Sequence, residues 1–111
     1  MDTMSKAKKE LVIIDSYADK SVLDMICDLK VQVKIITKAN GLLKKLDLKK
    51  YQEQYHNLEV YYDNTFHDRY LILDENTIYH CGASLNKIGV RTFSINKLED
   101  DDVKNALLGR I

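Results

Sequence analysis

A histidine and an arginine, His67 and Arg69, stand two residues apart in a stretch, 66–74, that otherwise has the composition of a β-strand. Side chains alternate between the two faces of a strand, so both are expected on one face, followed there by Leu71 and Leu73. An imidazole can attack phosphorus or transfer a proton, and a guanidinium can bind two phosphate oxygens at once. The pair therefore indicates chemistry on a phosphate ester.

Three more polar residues follow this pair along the chain. Asp74 closes the predicted strand at a turn, and Ser84 and Asn86 come just after the next predicted strand. We expect the two strands to form a hairpin, which would return Ser84 and Asn86 to the start of the first strand as neutral donors to a phosphate. Asp74 is expected to orient a histidine by accepting its second ring proton.

The elements that must position these residues predict an α/β fold. A continuous apolar run at 11–14 predicts a strand buried on both faces, helical spacing follows at 21–30, and alternation at 31–37 completes a βαβ unit. A second helix, a third strand, the hairpin, a last short strand and a final helix beginning near Asp100 follow. We therefore expect a mixed, mainly parallel sheet flanked by helices.

The whole chain, 1–111, is expected to form one domain, since it contains no linker and no repeat. Residues 1–9 are mostly polar and are expected to form a flexible lead-in. The two possible start residues, Met1 and Met4, leave open that the chain is a fragment of a larger protein.

Composition limits the possible partners. Seventeen basic residues balance seventeen acidic ones, so any anion site must be local. No apolar run approaches the roughly 20 residues that span a bilayer, and the N-terminus lacks a secretion signal. A cytoplasmic protein with reduced Cys27 and Cys81 is therefore expected. Neither a metal nor another cofactor is expected, because an arginine beside a cation site would repel the ion.

Two other groups of residues allow two interpretations each. Four lysines of the second predicted helix form either a solvated helix face or a weak footprint for nucleic acid; they are Lys44, Lys45, Lys49 and Lys50. Tyr61 and Tyr62 either stack on bases at the rim of a site or simply pack against the protein.

The five candidate residues, in their order and approximate spacing, resemble the signature of the phospholipase D superfamily, which is His-x-Lys, four residues, Asp, and then a Gly-Ser-x-Asn segment. They are His67, Arg69, Asp74, Ser84 and Asn86. Arg69 replaces the lysine of the signature. Ser84 and Asn86 come about two residues later than usual, which a longer hairpin turn could absorb. The strand–helix–strand opening is also similar to half of that fold.

The resemblance implies a metal-independent phosphodiesterase, most simply a nuclease, that works through a phosphohistidine intermediate. The sequence holds one copy of the motif, whereas two are needed. The resemblance therefore implies a homodimer in which the His67 side chains of the two chains face each other across the two-fold axis. An acidic residue that supports the histidine matches Glu99, although Asp100 fits nearly as well and both could be helix caps. The alternative is a catalytically degenerate module that binds nucleic acid or protein.

Overall fold

Six strands form one mixed sheet in the order β3-β2-β1-β4-β5-β6. The computed structural model describes residues 3–82 and 95–111, and every structural statement below concerns these. The strands are β1 Glu10–Ile14, β2 Gln32–Thr37, β3 Leu58–Tyr62, β4 Arg69–Leu73, β5 Thr77–Cys81 and β6 Ile95–Lys97. The helices are α1 Lys20–Ile26, α2 Lys45–Gln54 and α3 Asp101–Leu108.

The α/β class and the mixed sheet are confirmed, but the prediction of a mainly parallel sheet is wrong. β1, β2 and β3 are parallel neighbours, whereas β4 is antiparallel to β1, and β5 and β6 are each antiparallel to the preceding strand. For β4 and β5 the short connection explains the antiparallel pairing, because a parallel pair needs a crossover of about a dozen residues. β4 and β5 are joined by a turn at residues 74–76 and therefore form the predicted hairpin.

Helices cover both faces of the sheet. α1 and α2 pack on one face, where the buried side chains include Leu11, Ile13 and Leu71. The opposite face carries Ile14, Ile72 and others, and is covered through Leu107 of α3. β1 lies between two neighbouring strands and is buried from Leu11 to Ile14, as its apolar run predicts.

Residues 1–9 were predicted to be a flexible lead-in. For residues 3–9, which the structure describes, this prediction is wrong, because the segment packs against the sheet. Met4–Lys6 form a single 3-10 turn, and the side chain of Met4 is fully buried in the core on the α1 side of the sheet. Backbone N–H groups of Lys8 and Lys9 also donate to the Asp74 carboxylate. The side chain of Met4, the partly buried Ala7 and these hydrogen bonds hold a mostly polar segment against the sheet.

Candidate functional site

One edge of the sheet carries two of the predicted residues, His67 and Arg69. β1, β2 and β3 end at this edge and β4 begins there, and we call it the carboxyl edge. The strand order reverses between β1 and β4, which makes this edge a topological switch point. In open α/β sheets, ligands bind in the crevice outside such a point.

His67 lies at the carboxyl edge but outside the strand that was predicted to hold it. β4 begins at Arg69, three residues later than the predicted strand, so His67 lies in the segment that leads into it. Its side chain is exposed. Ser16 Oγ donates to the carbonyl of Phe66 at 3.0 Å, which fixes the position of this segment beside the end of β1.

Arg69 lies on the face of β4 that also carries Leu71 and Leu73, as the alternation predicts. Its side chain is half-buried, and its Nη2 donates to the carbonyl of Gly82 at 3.2 Å. Its Nε is buried and has no hydrogen-bond acceptor among the described residues. One of the guanidinium N–H donors of Arg69 is therefore already used by a backbone carbonyl.

A buried carboxylate that sequence analysis missed lies on the same face. Asp15 follows β1 directly and is 1% exposed, and its carboxylate accepts from the backbone N–H of Tyr17 at 2.9 Å. Burial, followed by the charge of Asp15, raises the pKa of the Cys81 thiol to about 11, and Arg69 opposes the shift. The charges of Asp15 and Arg69 therefore act on the same thiol, with opposite effects on its pKa.

Asp74 does not lie at this site, which corrects its assignment as a residue that orients a histidine. It follows the last residue of β4, at the edge opposite His67, so the whole length of β4, about 17 Å at roughly 3.3 Å per residue, separates the two edges. Its carboxylate accepts from the backbone N–H groups of Lys9 at 2.7 Å and of Lys8 and Glu10 at 3.1 Å each. These bonds hold the pKa of Asp74 below its ordinary value of 3.8. Its function is to join the β4–β5 turn to the segment before β1.

Replacing Asp74 by Ala is expected to lower the melting temperature by several degrees. Three N–H groups lose their acceptor, and alanine is strained at the φ of 54° that Asp74 adopts. Asp74→Asn should cost less, because asparagine tolerates this φ and keeps one acceptor oxygen.

The Asp74 carboxylate also makes the stability of the fold depend on pH, and the lowered pKa of Asp74 determines the direction of this dependence. Its folded pKa is depressed, so its stabilisation is present above the unfolded pKa, about 4, and is lost as the pH falls through the folded value. Thermal melts should therefore show the gap between wild type and Asp74→Asn narrowing as the pH falls below about 4. Equal melting temperatures for wild type and Asp74→Ala at neutral pH would contradict this assignment.

Glu99 is also placed away from His67. β6 begins at the carboxyl edge and runs away from it, so Glu99, two residues after its end, lies toward the opposite edge. Asp100 caps α3 by accepting from the backbone N–H groups of Asp102 and Val103, which confirms the capping interpretation for Asp100. Ser84 and Asn86, the two predicted phosphate donors, lie outside the described residues.

A second polar contact at this edge was not predicted. His80 Nε2 lies 3.3 Å from a carboxylate oxygen of Asp68, and its ring packs edge-on against Tyr70 with centroids 5.4 Å apart. The contact depends on the pairing of Tyr70 with His80 across β4 and β5, so it could be found only once the register was known. The Asp68 carboxylate, which follows His67 in the sequence, therefore contacts the imidazole of His80.

A basic groove opens beside the ends of β2 and β3. It has a volume of about 540 Å³, and we call it the lysine groove; it is lined by Ala39, Asn40, Gly41, Leu43, Lys44, Lys45 and Tyr62. Lys44 and Lys45 are exposed at the start of α2, and none of the described residues that line the groove carries a carboxylate. The four lysines that the sequence singled out are all exposed, and only two of them line this groove.

A smaller groove lies on the other face of the sheet. It has a volume of about 300 Å³, and we call it the arginine groove; it is lined by Lys34, Ile36, Tyr61, Tyr62, Asp63, Phe66, Arg110 and Ile111. Arg110 donates to both oxygens of Thr65, at 3.3 Å to the carbonyl and 3.0 Å to the hydroxyl, and its guanidinium carbon lies 4.0 Å from the centre of the Phe66 ring. The groove is therefore aromatic with two cations and one carboxylate.

Within the ranges 3–82 and 95–111, no group of three or more His, Cys, Asp or Glu side chains is arranged to hold a metal ion. None of the helices in these ranges is long and apolar enough to cross a membrane. Cys27 and Cys81 are both free thiols.

Comparisons with known proteins inform the fold. No family model matches the sequence, and no curated protein matches it. The structure is similar to that of TrmBL2, described as an archaeal chromatin protein with a novel mode of DNA binding, with a TM-score of 0.59 and 19% sequence identity. The match covers 98% of this chain and 44% of TrmBL2, so the chain spans less than half of that protein's length. At this identity the likeness establishes a shared fold.

Proposed function

We propose that this chain is a phospholipase D-like module that binds nucleic acid without cleaving it. The observation that carries the proposal is the lysine groove, in which Lys44 and Lys45 are exposed beside Tyr62 and no described lining residue is acidic. Such a groove attracts a phosphate backbone through its local positive charge. Because the chain has no net charge, any attraction for nucleic acid must come from a local site of this kind. The order of His67, Arg69 and Asp74 along the chain supports the family assignment.

The predicted catalytic residues support binding over cleavage. Asp74 is at the opposite edge of the sheet, and Arg69 donates to a backbone carbonyl on the face that also buries the Asp15 carboxylate. An anion at this position weakens the attraction of a second anion to Arg69. We therefore expect Arg69 and Asp74 to stabilise the two ends of β4 rather than to position a phosphate for attack.

The fold comparison adds support from a different direction. TrmBL2 is described as binding DNA, and a part of it covering 44% of its length shares this fold. A domain of this architecture is therefore found in a protein that is described as binding DNA.

Reversing the charge of the groove tests the proposal. We expect Lys44→Glu/Lys45→Glu to weaken binding of a fluorescein-labelled oligonucleotide roughly tenfold or more at low salt, and to lower the slope of affinity against salt concentration. The measurement is fluorescence anisotropy across a salt series.

Lys49→Glu/Lys50→Glu is the matched control for this experiment. It makes the same change in net charge on the same exposed helix, but neither lysine lines the lysine groove. Its effect on affinity should be clearly smaller. Equal effects from the two pairs, or no measurable binding by the wild type, would contradict the proposal.

A second candidate function is the phosphodiesterase that the resemblance implies. It is favoured by one observation, the exposure of His67 at the switch point of the sheet, where a second chain could bring its own His67. Such an enzyme would be a homodimer and would hydrolyse bis(4-nitrophenyl) phosphate in EDTA with a bell-shaped pH profile. Release of nitrophenol that disappears in His67→Ala would establish this activity, and equal release by both proteins would exclude it.

A further inference from the structure

We propose, resting on the proposed function above, that the bound nucleic acid is single-stranded and crosses the free edge of β3, from the lysine groove to the arginine groove. β3 is the last of the described strands on its side of the sheet, so no strand in the ranges 3–82 and 95–111 lies along its outer side. An extended single-stranded nucleic acid can therefore pass around β3 from one face of the sheet to the other.

The two tyrosines at the end of β3 provide a surface on each side of this edge. Tyr61 pairs with Ile36 and Tyr62 with Thr37, and successive residues of a strand point to opposite faces. Each tyrosine is 49% exposed. Tyr62 lines both grooves, so it marks the point at which they meet. Exposed rings are platforms on which unpaired bases stack.

Cations stand on both sides of these rings. Lys44 and Lys45 flank Tyr62 in the lysine groove. On the other face, the Lys34 ammonium lies 5.1 Å from the centre of the Tyr61 ring, and Arg110 is held in place over Phe66. A strand following this path would alternate base contacts with phosphate contacts, which is the pattern of single-strand binding.

The charge distribution favours a single strand over a duplex. Carboxylates also lie along the path, since Glu59 accepts a hydrogen bond from the Tyr61 hydroxyl at 2.8 Å and Asp63 lines the arginine groove. The net attraction for phosphates is therefore modest, and stacking must supply part of the affinity. The bases of a duplex are stacked on one another and cannot reach either ring.

The experiment compares a single-stranded oligonucleotide of about 12 nucleotides with the same sequence as a duplex, by anisotropy. We expect the wild type to prefer the single strand. Tyr62→Ala and Tyr61→Ala should each weaken single-strand binding roughly tenfold. Tyr62→Phe, which keeps the ring, should retain the affinity.

A second readout uses the wild-type protein. The chain has seven tyrosines and no tryptophan, so its intrinsic fluorescence comes from tyrosine, and stacking of bases should quench it. The quenching should be weaker with the duplex.

Each other outcome identifies what has failed. A preference for the duplex, or full affinity in both alanine variants together with weakened binding in Lys44→Glu/Lys45→Glu, would overturn the single-stranded path and leave the lysine groove as a backbone site. Absence of binding to either form by the wild type would overturn the proposed function itself.

Discussion

Asp15→Ala is expected to lower the free energy of unfolding by about 2 kcal/mol, because it removes a buried carboxylate together with the hydrogen bond that it accepts in the turn after β1. Asp15 is 1% exposed, and its carboxylate accepts the N–H of Tyr17 in the turn that leaves β1. Its loss removes this acceptor and also removes an anion from the face of the sheet that carries the half-buried Arg69. Urea denaturation followed by circular dichroism measures the change.

The double variant Asp15→Ala/Arg69→Met tests whether the two charges are coupled. We expect it to lose less stability than the sum of the single variants, by about 1 kcal/mol or more, because removing both charges leaves neither unpaired. Asp24→Ala, which removes an exposed carboxylate of α1, is the control and should have little effect. Strict additivity of Asp15 and Arg69 would contradict the coupling.

Met4→Ala is expected to lower the free energy of unfolding by about 3 kcal/mol, the usual cost of truncating a fully buried methionine. Met4 is 0% exposed and packs in the core between the sheet and the helices on the α1 side. Met25→Ala is the matched control, since Met25 only packs against this core from a half-buried position. If Met4→Ala cost no more than Met25→Ala, the segment before β1 would not be a structural part of the domain.

The elements that were predictable are those with a strong local pattern. The apolar run of β1, the alternation in β2, the acidic start of α3 and the turn between β4 and β5 all depend on residues within a few positions of one another. Met4 could not be placed in this way, because a single apolar residue in a polar segment has no periodicity. Its burial depends on the space left between the sheet and α1.

The site was predictable only where its residues share one strand or its immediate end. Alternation placed Arg69 on the correct face, but nothing local reveals that Asp15, more than fifty positions earlier in the chain, lies on that face as well. Asp74 was misassigned for a related reason. Its partners are backbone N–H groups near the N-terminus, and backbone donors leave no trace in side-chain spacing.

Binding without cleavage is tested most directly by one measurement, incubation of the wild-type protein with an end-labelled single-stranded oligonucleotide in EDTA, read both for anisotropy and for strand length on a denaturing gel. We expect the anisotropy to rise with protein concentration while the oligonucleotide stays full-length. Shortening of the oligonucleotide by the wild type but not by His67→Ala would contradict the proposal and establish the phosphodiesterase, and an unchanged anisotropy would exclude nucleic-acid binding.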